Sequence, residues 1–134
     1  MGNVPISEDN FQLASRAIDV INEKLKEYQK QLKKLQPKKH GSVQLELHNC
    51  GKKCRGCPHA VWKKWKGKKG REEKPLWLAH KVNNPEQSLR KTGEFEEVYE
   101  DSIELIRKIK YLLEVKADLL QHHKKIGALL RRIK

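Results

Sequence analysis

The sequence has few aromatic residues, few acidic residues and no long apolar stretch. Aromatic residues make up 6% of its 134 residues, there is one methionine, and 17 Asp and Glu stand against 30 Lys and Arg. No run approaches the ~18 apolar residues of a membrane-spanning helix. The N-terminal residues also lack the charged segment followed by an apolar core that is typical of a secretory signal. We therefore expect no membrane partner and no secretory signal.

Cysteine is also scarce. Three cysteines are an odd number, which suits metal ligation or free thiols better than a disulfide framework. Free thiols are typical of a reducing compartment, so we expect a cytoplasmic protein. The length of 134 residues predicts a single domain over residues 1–134.

The surplus of positive charge says more about partners than about fold. The formal net charge is +13 and the sequence pI is about 9.8. Such a surplus indicates a polyanionic partner, first of all nucleic acid. The alternative is a solvated, lysine-rich surface that keeps an elongated helical protein in solution.

The first element is predicted to be a helix over residues 7–36. Ser7 suits the N-cap, and Pro37 ends the pattern. Apolar residues recur at steps of three and four, the heptad spacing of a helix that lies along another helix. This seam consists of Phe11, Ala14, Ile18, Ile21, Leu25, Tyr28, Leu32 and Leu35.

A longer helix is predicted over residues 85–134, with an interruption near 92–93. Asn84 suits the N-cap, and Pro85 suits the first helical position. Its seam contains two polar residues, Lys116 and His123, among apolar ones. Because this helix exceeds the first in length, we expect a homodimer or a helical protein partner to cover the remainder. The seam runs Leu105, Ile109, Leu112, Lys116, Leu119, His123, Ile126, Leu130 and Ile133.

The segment between the helices, residues 40–83, has a different character. Residues 42–48 alternate polar and apolar, and residues 75–82 form a second candidate strand. We expect the two to pair as a ribbon, with residues 50–74 as the excursion between them. The predicted fold is therefore α+β and mostly α, with two long antiparallel, coiled-coil-like helices flanking a small zinc-stapled, two-stranded β-ribbon.

Four potential metal ligands lie close together in this insertion. Cys50, Cys54, Cys57 and His59 supply the thiolate and imidazole donors that tetrahedral zinc prefers. We expect a structural zinc ion, which would replace the apolar core that so small an insertion lacks. His48, His80 and His40 are alternatives for the fourth ligand, and reduced cysteines in a loop are the alternative to a metal site.

The same Cys-x3-Cys-x2-Cys spacing occurs in radical S-adenosylmethionine enzymes, which resemble barrels of about two hundred residues. This chain is too short for that fold and lacks the alternating strands and helices. It also shows no phosphate-binding glycine loop and no nucleophile beside a base. We therefore expect no enzyme and no small-molecule substrate.

A basic loop with two tryptophans follows the cysteines. Residues 50–74 hold ten Lys and Arg against two Glu, a net charge of +8. Cations of this density neutralise phosphates, and an indole can stack on a base; the alternative is that the tryptophans pack with Trp77 as a small core. The predicted nucleic-acid contacts are Lys52, Lys53, Arg55, Trp62, Lys63, Lys64, Trp65, Lys66, Lys68, Lys69 and Arg71.

Residues 40–80 resemble a family of small proteins found in mobile elements, phages and microbial genomes. The resemblance lies in His40-Gly41-Ser42-Val43, Cys50-Gly51-Lys52, Cys57, Pro58-His59, Trp62 to Trp65 and Leu76-Trp77-Leu78. In that family a strand leads into a Cys-Gly-Lys motif and then a His-Gly-Pro-aromatic stretch, between long helices. Here Ala60-Val61-Trp62 follows His59, which leaves the fourth ligand open. The resemblance implies the helix–ribbon–helix layout.

The sequence predicts a nucleic-acid-binding protein with a regulatory or mobile-element role. DNA is favoured over RNA, with weak sequence preference, because base-reading Asn and Gln are few beside the lysines. The alternative is a coiled-coil adaptor for protein–protein interaction that carries a structural zinc site.

Overall fold

The computed structural model describes residues 8–36, 41–51, 54–69, 75–92 and 96–133. The elements, in order, are α1 (Glu8–Leu35), β1 (Val43–His48), β2 (His59–Lys69), β3 (Pro75–Lys81), α2 (Pro85–Thr92), a 3₁₀ helix at Glu96–Val98 and α3 (Tyr99–Ile133). The protein is thus mostly helical, with one small antiparallel sheet. Among the described residues, no helix combines the length and apolarity needed to cross a membrane.

The heptad seam of α1 forms one half of the core. Ile18, Leu25 and Leu32 are fully buried, which is the consequence of their seven-residue spacing on one helix face. The matching half comes from the N-terminal part of α3, where Ile106 and Ile109 are also fully buried. At the other end of α1, Phe11 stacks on His123 of α3 with ring centroids 4.0 Å apart.

The sheet differs from the predicted ribbon. It has three strands in the order β1-β2-β3, and both neighbours run antiparallel to β2. The predicted strands 42–48 and 75–82 correspond to β1 and β3, but each pairs with β2 and not with the other. The stretch predicted as a basic loop is the central strand up to Lys69, while residues 70–74 lie outside the described part of the chain.

One face of the sheet packs on the helices. Leu45 pairs with Trp62 across β1 and β2, and both belong to the core cluster or pack against it. The start of β1 is also hydrogen-bonded to the end of α1. Ser42 Oγ donates to the Gln36 carbonyl at 3.2 Å, and Gln36 Oε1 accepts from the Val43 N–H at 3.0 Å. The side-chain amide of Gln44 donates to the same Gln36 carbonyl.

α2 connects the sheet to α3. Asn84 caps it as its sequence indicates, since Asn84 Oδ1 accepts from the Gln87 N–H at 3.1 Å. Leu89 is buried in the core, and Glu86 pairs with Arg107 of α3 at 3.4 Å. These contacts tie α2 to the core and to the first half of α3.

Candidate metal centre

Three cysteines and one histidine converge beside the sheet. The ligand atoms of Cys50, Cys54, Cys57 and His59 all lie within 4.8 Å of one another, and none of the three cysteines forms a disulfide. Cys50 Sγ lies 3.4 Å from Cys57 Sγ, and Cys54 Sγ lies 3.5 Å from His59 Nε2. A tetrahedron with bonds of 2.0–2.3 Å has edges of about 3.3–3.8 Å, so these four residues are positioned to bind a metal ion.

The local chain makes this convergence possible. We define the cysteine loop as residues 49–58, of which Lys52 and Lys53 lie outside the described residues. Gly51 has φ = 76°, a left-handed conformation that glycine adopts without strain. His59 is the first residue of β2 and pairs with His48, the last of β1. The sheet therefore fixes the histidine, and the loop brings the thiols to it.

The surroundings of the Cys57 thiol disfavour its ionisation. The Cys50 N–H, 3.4 Å from Cys57 Sγ, lowers the pKa of Cys57. Desolvation, the hydrogen bond that the Cys57 thiol donates to Cys50 Sγ, the interaction with the Cys54 thiol and the charge of Cys50 outweigh it, so the pKa of Cys57 lies above its ordinary value. A divalent cation reverses this balance, because it stabilises every thiolate that coordinates it.

The cysteine loop is held between α1 and α3 by polar contacts. Arg55 donates to the Ser15 carbonyl at 2.5 Å, to Ser15 Oγ at 2.9 Å and to Asp19 Oδ1 at 2.9 Å. Asn22 Nδ2 donates to the Cys57 carbonyl at 3.4 Å. The three partners, Ser15, Asp19 and Asn22, follow one another at steps of four and three residues and therefore lie on one side of α1, within about one turn of the buried Ile18.

Lys116 holds the loop from the other helix. Only 4% of this residue is exposed, and its Nζ donates to the Pro58 carbonyl at 2.8 Å. Burial lowers the pKa of Lys116, and the nearby Cys57 and Cys54 oppose that effect by favouring the charged amine. The polar interruption of the α3 seam is thus the point where the cysteine loop docks.

The alternative histidine ligands lie apart from this group. The His48 ring centroid is 5.9 Å from that of His59, and His80 pairs with Lys64 across β2 and β3. His40 lies outside the described residues. Among the described residues, the metal-ligand group contains His59 and no other histidine.

The predicted nucleic-acid contacts are distributed over several environments. Trp62 packs against the core cluster, and Trp65 is half-buried and lines a cleft with Gln29 and Lys33 of α1. The side chain of Trp77, with which the core alternative groups them, lies outside the described part of the structure. Arg55 is engaged with α1, and Lys63 pairs with Glu46 at 2.7 Å. Lys66 is exposed, Lys68 and Lys69 continue the strand, and Arg71 lies outside the described residues.

The sheet also brings in cations that the sequence did not single out. Lys81 lies directly opposite Lys63 in the β2–β3 register. The pKa of Lys64 is lowered first by burial and then by the charges of Lys66 and Lys91, the latter on α2. We call Lys64, Lys66 and Lys91 the basic cluster. The charges of Lys66 and Lys91 thus act on Lys64 from β2 and from α2.

No protein-family model, no curated protein and no solved structure matches this chain. The resemblance of residues 40–80 to mobile-element proteins accordingly stays a prediction.

Proposed function

We propose that this chain is a zinc-stabilised nucleic-acid-binding protein in which zinc has a structural role. Three thiolates and one imidazole favour zinc over the hard, oxygen-seeking cations Mg²⁺ and Ca²⁺. Four protein ligands leave no open coordination position, as is typical of structural rather than catalytic zinc sites. We infer a binding protein rather than an enzyme, and a reducing, cytoplasmic location that suits free thiols.

The observation that carries the nucleic-acid proposal is the extension of β2 beyond β1. The β1 pairing ends at Lys64, whereas β2 continues to Lys69 in register with β3. We call the pairs of residues 66–69 with 75–78 the outer hairpin. A two-stranded antiparallel ribbon fits the major groove of B-form DNA, which is about 12 Å wide, but not the deep, narrow major groove of A-form RNA. This shape favours duplex DNA.

Charge placement supports the same proposal. Lys63 and Lys81 are direct partners on the adjacent strands β2 and β3, where like charges cost stability, and Glu46, 2.7 Å from Lys63, offsets part of that cost. The basic cluster adds positive charge on the other face of the sheet, because Lys64 and Lys66 alternate with Lys63 along β2. A polyanion relieves this repulsion, so the surface is suited to phosphate contacts of weak sequence preference.

We infer that α1 and α3 run antiparallel and present the sheet at one end. Support comes from the stacking of Phe11, early in α1, on His123, late in α3. The core cluster joins Leu25 and Leu32 of α1 to Ile106 near the start of α3.

The test compares two triple variants of equal charge. K66Q/K81Q/K91Q removes exposed cations around the outer hairpin, and K24Q/K30Q/K34Q removes three exposed lysines of α1. Fluorescence anisotropy with a labelled mixed-sequence duplex is measured from about 50 to 200 mM salt. We expect the first variant to lose affinity and its log K against log salt slope to fall by about 0.9 for each lost phosphate contact.

The control variant is expected to keep most of its affinity. Equal losses of affinity in both variants would show that binding depends on net charge alone and not on the outer hairpin. Absence of duplex binding by the wild-type chain at low salt would refute the proposal. Circular dichroism and zinc content of each variant establish that the fold is retained.

A second candidate function, a helical adaptor, is favoured by one observation. Leu13 and Val20 of α1 are 57% and 56% exposed and lie seven residues apart, on one helix face. A helical partner or a second copy of the chain would cover this face. Analytical ultracentrifugation of the wild type and L13E/V20E distinguishes the candidates, because only the adaptor proposal predicts an assembly that the substitutions dissociate.

A further inference from the structure

A second basic surface lies where α1, the cysteine loop and the end of α3 meet. A cleft of about 410 Å³ is lined there by Arg55, His123, Lys124 and Arg131, together with Phe11 and Gly127. Gly56 and Leu120 complete the lining, so four of the eight lining residues are Arg, Lys or His and none is acidic. The volume falls in the range of small-ligand sites, about 300–1,000 Å³.

The fold holds the walls of this cleft in place. Phe11 lies against His123 with centroids 4.0 Å apart, and a Cβ on Gly127 would meet Phe11 Cε2 at 3.1 Å. Gly127 therefore allows Phe11 to approach α3 closely. Arg55 is fixed by Ser15 and Asp19, so the loop side of the cleft is anchored to α1.

The positive charge of the cleft is only partly compensated. Asp19 pairs with Arg55 at 2.9 Å, but neither Lys124 nor Arg131 forms an ion pair within the part of the chain that the structure describes. The sequence contains no acidic residue after Asp118. Burial lowers the pKa of His123, and the charge of Arg55 lowers it further, which is the effect expected at a positive potential.

We propose that this cleft binds a phosphate group, with Arg131 as the fork-shaped donor and Lys124 as the second cation. The guanidinium matches two phosphate oxygens at once, and the ammonium supplies a point charge. The phosphate belongs to the nucleic-acid backbone, so this inference rests on the proposed function. It places a second backbone contact at the cysteine loop, apart from the outer hairpin.

The helix supplies a matched control for the test. K124Q/R131Q removes the two uncompensated cations of the cleft, and K125Q/R132Q removes their exposed sequence neighbours, which do not line it. Both variants lose two charges from the same turns of α3. We expect K124Q/R131Q to weaken duplex binding roughly tenfold and to reduce the salt slope by about 0.9, the value for one lost phosphate contact, and K125Q/R132Q to have a much smaller effect.

Inorganic phosphate tests the cleft without nucleic acid. Titration followed by NMR is expected to shift the amide signals of Phe11 and Gly127 in the wild type and in K125Q/R132Q, but not in K124Q/R131Q. A 5′-phosphorylated oligonucleotide should then shift the same signals at lower concentration than inorganic phosphate, because the chain makes further backbone contacts.

The outcomes separate this inference from the proposed function. If both α3 variants bind duplex equally and phosphate shifts neither signal, the cleft is not a phosphate site, even where K66Q/K81Q/K91Q confirms binding at the outer hairpin. If phosphate shifts the signals but the wild type binds no duplex, the phosphate site stands, and both nucleic acid as its source and the proposed function are refuted.

Discussion

Lys116 Nζ, in the middle of α3, donates a hydrogen bond of 2.8 Å to the carbonyl oxygen of Pro58, the residue between Cys57 and His59. The lysine is 4% exposed. A zinc site filled by three thiolates and one neutral imidazole has a net charge of −1. A buried ammonium beside that charge compensates it, so metal binding and the docking of the loop on α3 stabilise each other.

The first prediction concerns this residue. K116M is expected to lower zinc affinity about 10–100-fold, the usual effect of removing an outer-shell partner. K116R keeps the charge and should retain more affinity, and K125M, on the exposed face of α3, should match the wild type. Competition with a chromophoric chelator measures all three affinities. Equal affinities of K116M and K125M would contradict the role of Lys116.

The second prediction concerns the fourth ligand. H59Q should reduce zinc affinity strongly, because His59 Nε2 lies 3.5 Å from Cys54 Sγ within the ligand group. H48Q and H80Q should have little effect. Cobalt substitution provides the readout, since loss of one ligand alters the tetrahedral absorption spectrum. An unchanged spectrum in H59Q would assign the fourth position to another group.

The third prediction tests the helix core with two leucines of α1. Leu25 is fully buried, and Leu13 is 57% exposed. L25A should lower the free energy of unfolding by about 2–5 kcal/mol, because it leaves a cavity in the core. L13A should change it by less than about 0.5 kcal/mol. Urea unfolding of the zinc-bound protein measures both free energies. Similar decreases in L25A and L13A would contradict the assignment of Leu25 to the core.

The fourth prediction separates the two tryptophans of β2. Residues three apart on a strand lie on opposite faces, and Trp62 is the one that packs on the core cluster. W62A should therefore lower the free energy of unfolding by about 2 kcal/mol, less than the cost at a fully buried site. W65A should cost less stability. A larger loss in W65A would reverse the assignment of the two faces.

The helices were predictable because their pattern is local. The seven-residue spacing of Ile18, Leu25 and Leu32 specifies a buried stripe whatever it packs against, and α1 begins and ends within one residue of the predicted bounds 7–36. The metal-ligand group was predictable for the same reason, since four donors within ten residues need only a tight loop and one strand to meet.

The central strand was missed because its pattern is not periodic. Lys63 and Lys64 are consecutive cations, and neither face of residues 59–69 reads as apolar in sequence. Pairing on both sides with β1 and β3 makes this stretch a strand, and such pairing depends on tertiary context.

The residues that dock the cysteine loop could not be paired from sequence, because they lie far apart along the chain. Arg55 and Asp19 are 36 residues apart, and Lys116 and Pro58 are 58 apart. A partial signal was present in the α3 seam, where Lys116 interrupts an apolar stripe. A buried lysine needs a partner, but the sequence does not identify which one.

We propose that a metal ion bound by the cysteine loop stabilises the docking of this loop on α1 and α3. Native mass spectrometry of the purified chain, before and after chelation, tests it most directly. We predict one zinc ion per chain, with the thiols protected from alkylation, and a shift to higher charge states when the ion is removed. A chain that carries no metal, alkylates freely at all three cysteines and keeps its charge-state distribution would contradict the account.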